Sequence, residues 1–250
     1  MKNHYLKRIY IVVISVLLIA SCSTPTTPSS STNTSPILFT PDSHPQMHFT
    51  YSGDVAYTKK EFTILDPDEI LIDSLYIQVA YELSSTRWIL IARKSTNDEE
   101  GLKMLLIDPT QSNKLLFRSR GMYDSMIMHP TFFIPNDSKS PWIILTGLGF
   151  SESWGQKLFF VKGDTINEIT YLDIASKEEA DYEDDESELR LMDIAPYTSI
   201  YKNESGFNFS FSCDSIYYFG DIGDQNNPIF VGSAFKYIFF EDKLNIELQQ

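Results

Sequence analysis

The chain has 250 residues, with 20 Lys and Arg against 34 Asp and Glu, a formal charge of −14 at neutral pH. So acidic a surface repels phosphate backbones, which excludes nucleic acid as a partner. The first eight residues, MKNHYLKR, carry Lys2, Lys7 and Arg8 and no acid. From Ile9 to Ala20 the chain is apolar except at Tyr10 and Ser15. As a helix that run is about 18 Å long at about 1.5 Å per residue, too short for a hydrocarbon core of roughly 30 Å. A basic head, a short apolar body and small residues at its end predict a secretory signal over residues 1–21, cleaved in the mature protein.

The end of that segment, Ile19-Ala20-Ser21-Cys22, resembles the bacterial lipobox, in which an aliphatic residue and two small ones precede a cysteine. The resemblance covers only residues 1–22. It implies that Cys22 becomes the first residue of a mature lipoprotein, with a diacylglycerol on its thiol and a further acyl chain, such as palmitate, on its new amino group. Each buried CH₂ contributes about 0.8 kcal/mol, and two or more chains hold a protein stably where one does so only marginally. Ser23 stands where an aspartate would favour retention at the inner membrane. The resemblance therefore implies a lipid anchor in the cell envelope, at the outer membrane and facing the periplasm.

Residues 22–36 begin with the lipidated cysteine and continue STPTTPSSSTNTSP, with no charge and no large apolar group. Such a stretch buries too little surface to offset its ordering entropy and reads as a flexible tether. Removing Lys2, Lys7 and Arg8 with the signal takes the basic residues from 20 to 17 against 34 acids, a mature charge of −17. With Cys22 acylated, Cys213 has no partner for an internal disulfide, and its apolar flank, FNFSFSCDSIYYF, predicts a small buried hydrophobe.

Residues 37–250 read as one all-β domain. Runs such as LYIQVAYEL from Leu75, WILIARK from Trp88, KMLLID from Lys103, WIILTGL from Trp142, KLFFVKG from Lys157 and FNFSFS from Phe207 are rich in β-branched and aromatic residues. Asp, Asn, Ser, Gly and Pro fill the gaps between them. The one stretch with helix-forming composition is residues 176–194, SKEEADYEDDESELRLMDI.

A fixed offset of 54 lays Trp88–Asp108 on Trp142–Lys162 without a gap, matching Trp88 with Trp142, Gly101 with Gly155 and Lys103 with Lys157. Each unit reads as four strands over about 50 residues, the mark of a β-propeller blade. The expected fold is a repeat-built, propeller-like domain. A β-sandwich suits the same strand spacing.

Motifs for chemistry are sparse. His44, His48 and His129 form no HExxH pair, and there is no CxxC for zinc. No GxSxG elbow and no phosphate-binding glycine loop occurs. Phe150 and Trp154, in a loop where the matching unit has no aromatic, are the candidate ligand contacts, since a Trp face suits a wet surface. Clustered oxygens occur at 178–188 and in DIGDQNN, where Asp221, Asp224 and Asn226 are the candidate Ca²⁺ ligands, without EF-hand spacing. No other cofactor is implied. The pattern favours a binding module, with an envelope protein, a peptide or a glycan as ligand, over an enzyme. The competing reading is a hydrolase of envelope glycans using a pair of its many carboxylates.

Overall fold

The computed structural model describes residues 53–70, 72, 74–94, 100–122, 125–180, 188–222 and 225–249. Strand β1 (Val55–Lys60) precedes a five-stranded antiparallel sheet of β2 (Thr63–Leu65), β3 (Tyr76–Ser84), β4 (Arg87–Arg93), β5 (Lys103–Asp108) and β6 (Lys114–Arg118), paired in chain order. Asp66-Pro67 and Asp108-Pro109 each open a single 3₁₀ turn. The aspartate carboxylate accepts from the N–H two residues on, at 3.0 Å in both cases. The proline starts the turn, where its missing N–H leaves no donor unsatisfied.

A second meander follows: β7 (Ile127–Pro135), β8 (Trp142–Gly149), β9 (Ser153–Lys162) and β10 (Thr165–Leu172). Then come β11 (Ile174–Ala180), β12 (Glu188–Met192), β13 (Thr198–Asn203), β14 (Gly206–Phe211) and β15 (Ser215–Tyr218). A hairpin of β16 (Asp221–Ile222) and β17 (Gln225–Asn226), then β18 (Ile229–Val231), β19 (Phe235–Phe240) and β20 (Lys243–Leu248) complete the described chain. The molecule is all-β, as its composition predicts.

Strand β1 pairs with β7 on one side and β13 on the other, so nine strands join in the order β10-β9-β8-β7-β1-β13-β14-β19-β20. This sheet curls into a nearly closed, barrel-like form. Phe160 of β9 lies 4.6 Å, ring centre to ring centre, from Phe207 of β14 and 5.5 Å from Phe239 of β19. Inside the curl are Phe133, Ile143, Leu145, Leu158, Phe160, Ile200, Phe209 and Tyr237. A separate sheet, ordered β12-β11-β15-β18, adds Ile174 and Ile216 to the same core.

The opposite face of the second meander, with Phe132, Ile144, Phe159 and Val161, packs on Ile89, Ile91, Met104 and Leu106 of the five-stranded sheet. Strands β8 and β9 are thus covered on both faces, which is why their sequences are apolar at both parities. Strands β13 and β14 have one covered face, and "FNFSF" alternates accordingly. Trp88 and Trp142 both pack, Trp88 with the outer apolar face of the five-stranded sheet and Trp142 against Phe62, 5.8 Å away and stacked.

The expected helix over 176–194 is not found in the described parts of that stretch, 176–180 and 188–194; residues 181–187 lie outside the described residues. Its ends are β11 and β12, paired in register from Ser176↔Met192 to Ala180↔Glu188. Helix propensity amounts to tenths of a kcal/mol per residue. It loses here to pairing on two sides: Ser176, 1% exposed, also faces Ile216 of β15. No helix among the described residues is long and apolar enough to cross a membrane.

Candidate functional site

Three chain segments line an open polar hollow of about 590 Å³. Ser176, Lys177 and Glu178 come from β11, Tyr197 from the 3₁₀ turn Ala195–Tyr197, and Ser212, Cys213, Asp214 and Ser215 from the β14–β15 link. Tyr197 holds the walls together. Its hydroxyl donates to Glu178 Oε1 at 2.7 Å, and its carbonyl accepts from the Ser212 N–H at 3.0 Å and the Ser212 hydroxyl at 3.2 Å. Gly232 backs the floor, where a Cβ would stand 1.9 Å from the Cys213 carbonyl oxygen. The volume is that of a small-molecule or peptide site.

The electrostatics favour holding over attacking. Burial pushes the Cys213 thiol above its ordinary range, with only partial relief from the Ser176 hydroxyl. The thiol therefore stays protonated at neutral pH, a poor nucleophile. The hydrogen bond to Glu178, and secondarily burial, raise the Tyr197 phenol as well. The hollow thus presents hydroxyls, a thiol, two carboxyl side chains and one ammonium, a lining suited to a polar, hydroxylated or amide-bearing ligand.

A second polar cluster ends the inner core of the curled sheet. His129, Gly147 and Gln156 stand opposite one another across β7, β8 and β9. Gly147 contributes no side chain, and the Asp193 carboxylate occupies that space: a Cβ there would meet Asp193 Oδ2 at 2.5 Å. Asp193 Oδ1 accepts from Gln156 Nε2 at 2.9 Å and from the Ala195 N–H at 2.8 Å. Lys59 donates to the Pro196 carbonyl just beyond.

Burial lifts the Asp193 carboxyl above the ordinary carboxylate range, against the pull of the Ala195 and Gln156 N–H groups, His129 and Lys59. The folded state therefore holds the Asp193 proton more tightly than the unfolded chain does. That contribution is full below about pH 4 and is lost as pH rises through the folded value. In urea titrations at constant ionic strength, the stability of wild type minus that of Asp193→Asn should fall as pH goes from 4 to 6. A difference independent of pH would refute this account of the cluster.

The aromatic candidates are separated by their surroundings. Phe150, 60% exposed, sits in the tight turn between β8 and β9. Trp154 is not on a loop. Ser153 already pairs with Gly149 across a bulge, so β9 begins before the tryptophan, which is half-buried. Its carbonyl accepts from the Tyr171 hydroxyl at 2.5 Å. Asp221 pairs with Asn226 in the β16–β17 hairpin, and Asn226 is exposed. Asp224, like Cys22, lies outside the described residues, as does the Asp221 side chain. Among the described residues, no group of three or more His, Cys, Asp or Glu side chains is placed to hold a metal ion.

Motif reasoning missed the hollow and the Asp193 cluster. The hollow draws on segments with no shared spacing. For Asp193 one signal existed: Gly147 inside an otherwise apolar strand marks the close approach of another group. No family model, no curated protein and no solved structure matches this chain.

Proposed function

We propose that this protein is a lipid-anchored component of the bacterial cell envelope whose all-β body acts by binding, with a peptide, protein or glycan as its ligand. The sequence Ile19-Ala20-Ser21-Cys22 after a basic head and a short apolar run carries the reading. The charge-free stretch that follows supplies reach between membrane and body. A polar hollow of about 590 Å³ with a protonated thiol fits recognition better than nucleophilic catalysis.

The body is read as propeller-like. Its two successive four-stranded meanders, β3–β6 and β7–β10, stack face to face. Lys103 and Lys157, matched at the 54-residue offset, are both buried at the start or middle of the third strand of their meander. The β-sandwich remains the other description compatible with face-to-face sheets.

Metabolic labelling with an alkyne-bearing fatty acid tests the anchor. The wild-type chain should take up label and sediment with outer membranes. Cys22→Ser should lose the label and the faster-migrating processed form. An unlabelled wild-type chain, or equal labelling of both, would overturn the anchored reading.

A further inference from the structure

Strand β20 ends the nine-stranded sheet and, among the described residues, has a strand on one side only. It pairs with β19 without a bulge, from Phe235↔Leu248 to Phe240↔Lys243. Glu241 and Asp242, with φ of +48° and +60°, form the two-residue turn between the strands. Such a turn closes on a hydrogen-bonded pair, so Lys243, Asn245 and Glu247 aim their backbone groups at β19. The Gln249 N–H keeps that phase, donating to the Ala234 carbonyl at 2.7 Å. The N–H and C=O groups of Leu244, Ile246 and Leu248 therefore face away from β19, where no described strand meets them.

A row of unpaired donors and acceptors is a template for another strand. The opposite edge of the sheet, β10, is blunted by a register shift between Glu168 and Thr170. Strand β20 carries no such device. Its side chains also mark the edge as open. Leu244 and Ile246 pack on the inner core yet stay half-buried, and Leu248 beyond them is exposed. A strand laid beside β20 would complete their cover.

The sequence of β20, Lys-Leu-Asn-Ile-Glu from 243 to 247, says which strand fits. Run antiparallel to itself, it sets Lys243 opposite Glu247, Leu244 opposite Ile246 and Asn245 opposite Asn245. Opposite residues share a face, so the charges meet on the outer face, where Lys243 and Glu247 are exposed. Leu244 and Ile246 meet on the inner face and extend the apolar row of the core. Their outward backbone groups meet as well, since both belong to the set that faces away from β19. Neighbouring registers lose this match: Glu247 then faces Asn245 or Glu241. Parallel pairing in register sets Lys243 beside Lys243.

We infer that β20 is the docking edge for a second copy of this chain, paired antiparallel about a two-fold axis at Asn245. A self-complementary contact of this kind closes at two copies. The inference goes beyond the ligand-binding reading and is independent of the lipid anchor.

Sedimentation velocity over a range of concentrations, on the full-length chain in detergent, tests it. Wild type should associate to a dimer and no further. Lys243→Glu and Glu247→Lys each turn two opposite-charge pairs into two like-charge pairs. Each should weaken dimerisation at least about fivefold. The chain with both substitutions regains the pairs with their signs exchanged and should recover most of the wild-type affinity. Asn245→Cys sets two thiols opposite each other on the axis, with Cα atoms about 4.5 Å apart, within disulfide range. It should form an intermolecular disulfide under mild oxidation. Ser199→Cys, exposed on the outer face of β13, should form none above the wild-type baseline.

A wild-type chain that stays monomeric would overturn the inference and leave the edge to a strand of a different protein. So would a dimer indifferent to the single charge reversals, or a double variant as weak as the singles. A dimer that Asn245→Cys fails to cross-link would place the contact on another face and overturn it equally. None of these results touches acylation at Cys22, which the labelling experiment decides separately.

Discussion

Phe160→Ala should destabilise the protein by about 3–5 kcal/mol, the range for truncating a fully buried phenylalanine. Phe160 is 0% exposed, and its ring meets Phe207 and Phe239, which belong to strands on the far side of β1 and β13. The substitution therefore removes more than buried area. It empties the place where the two flanks of the curled sheet touch, and backbone pairing along the strands keeps the flanks from collapsing into the gap. Tyr201→Ala, on the outer face of β13 and 38% exposed, should cost less than about 1 kcal/mol. Urea unfolding followed by near-ultraviolet circular dichroism gives both numbers. Equal costs for the two substitutions would mean that the inner face is not the principal core.

The same covering of faces explains which strands could be read from residues alone. Strands β8 and β9 announce themselves as apolar runs because sheets lie on both sides of them. Strand β14 does so by alternation, because only one side is covered. Strands β11 and β12 failed on both counts. Their Glu, Lys, Ala and Leu residues favour a helix locally, and only the neighbours Met192 and Ile216, distant in sequence from Ser176, make that segment extended. Residues 55–60 carry little strand signal of their own for a similar reason. Only Val55 of β1 is buried, and the strand exists because it bridges β7 and β13.

Sites were less legible than strands because they depend on what is missing as well as on what is present. Phe150 stood out by composition and is indeed exposed. Trp154 stood out equally and is a half-buried strand residue. Arg93 looks ordinary in "ILIARK", and nothing in that run announces that its guanidinium lies between the Tyr76 ring and the Met126 sulfur. Asp193 likewise acquires its role from a glycine on another strand, and no spacing rule connects the two.

Lys157→Ala should cost about 3 kcal/mol, because it strands a carboxylate in the interface between the two meanders. Lys157 is 5% exposed in the middle of the apolar strand β9. Its Nζ lies 3.0 Å from Glu168 Oε1 and donates to the Arg120 carbonyl at 2.9 Å. Removing one partner of a buried pair typically costs 3–5 kcal/mol, whereas replacing both with apolar groups of similar size is often neutral. The Glu168 side chain keeps 19% of its exposure and also accepts from the Arg120 N–H at 3.1 Å, which places the loss at the low end of that range. Lys157→Met combined with Glu168→Leu should recover most of the stability lost by Lys157→Met alone. The double-mutant cycle, measured by urea unfolding at neutral pH, should therefore show a coupling well above 1 kcal/mol, beyond what an exposed ion pair contributes. Additive losses would mean that Lys157 stabilises β9 through its aliphatic stem, with the charge solvated rather than shared.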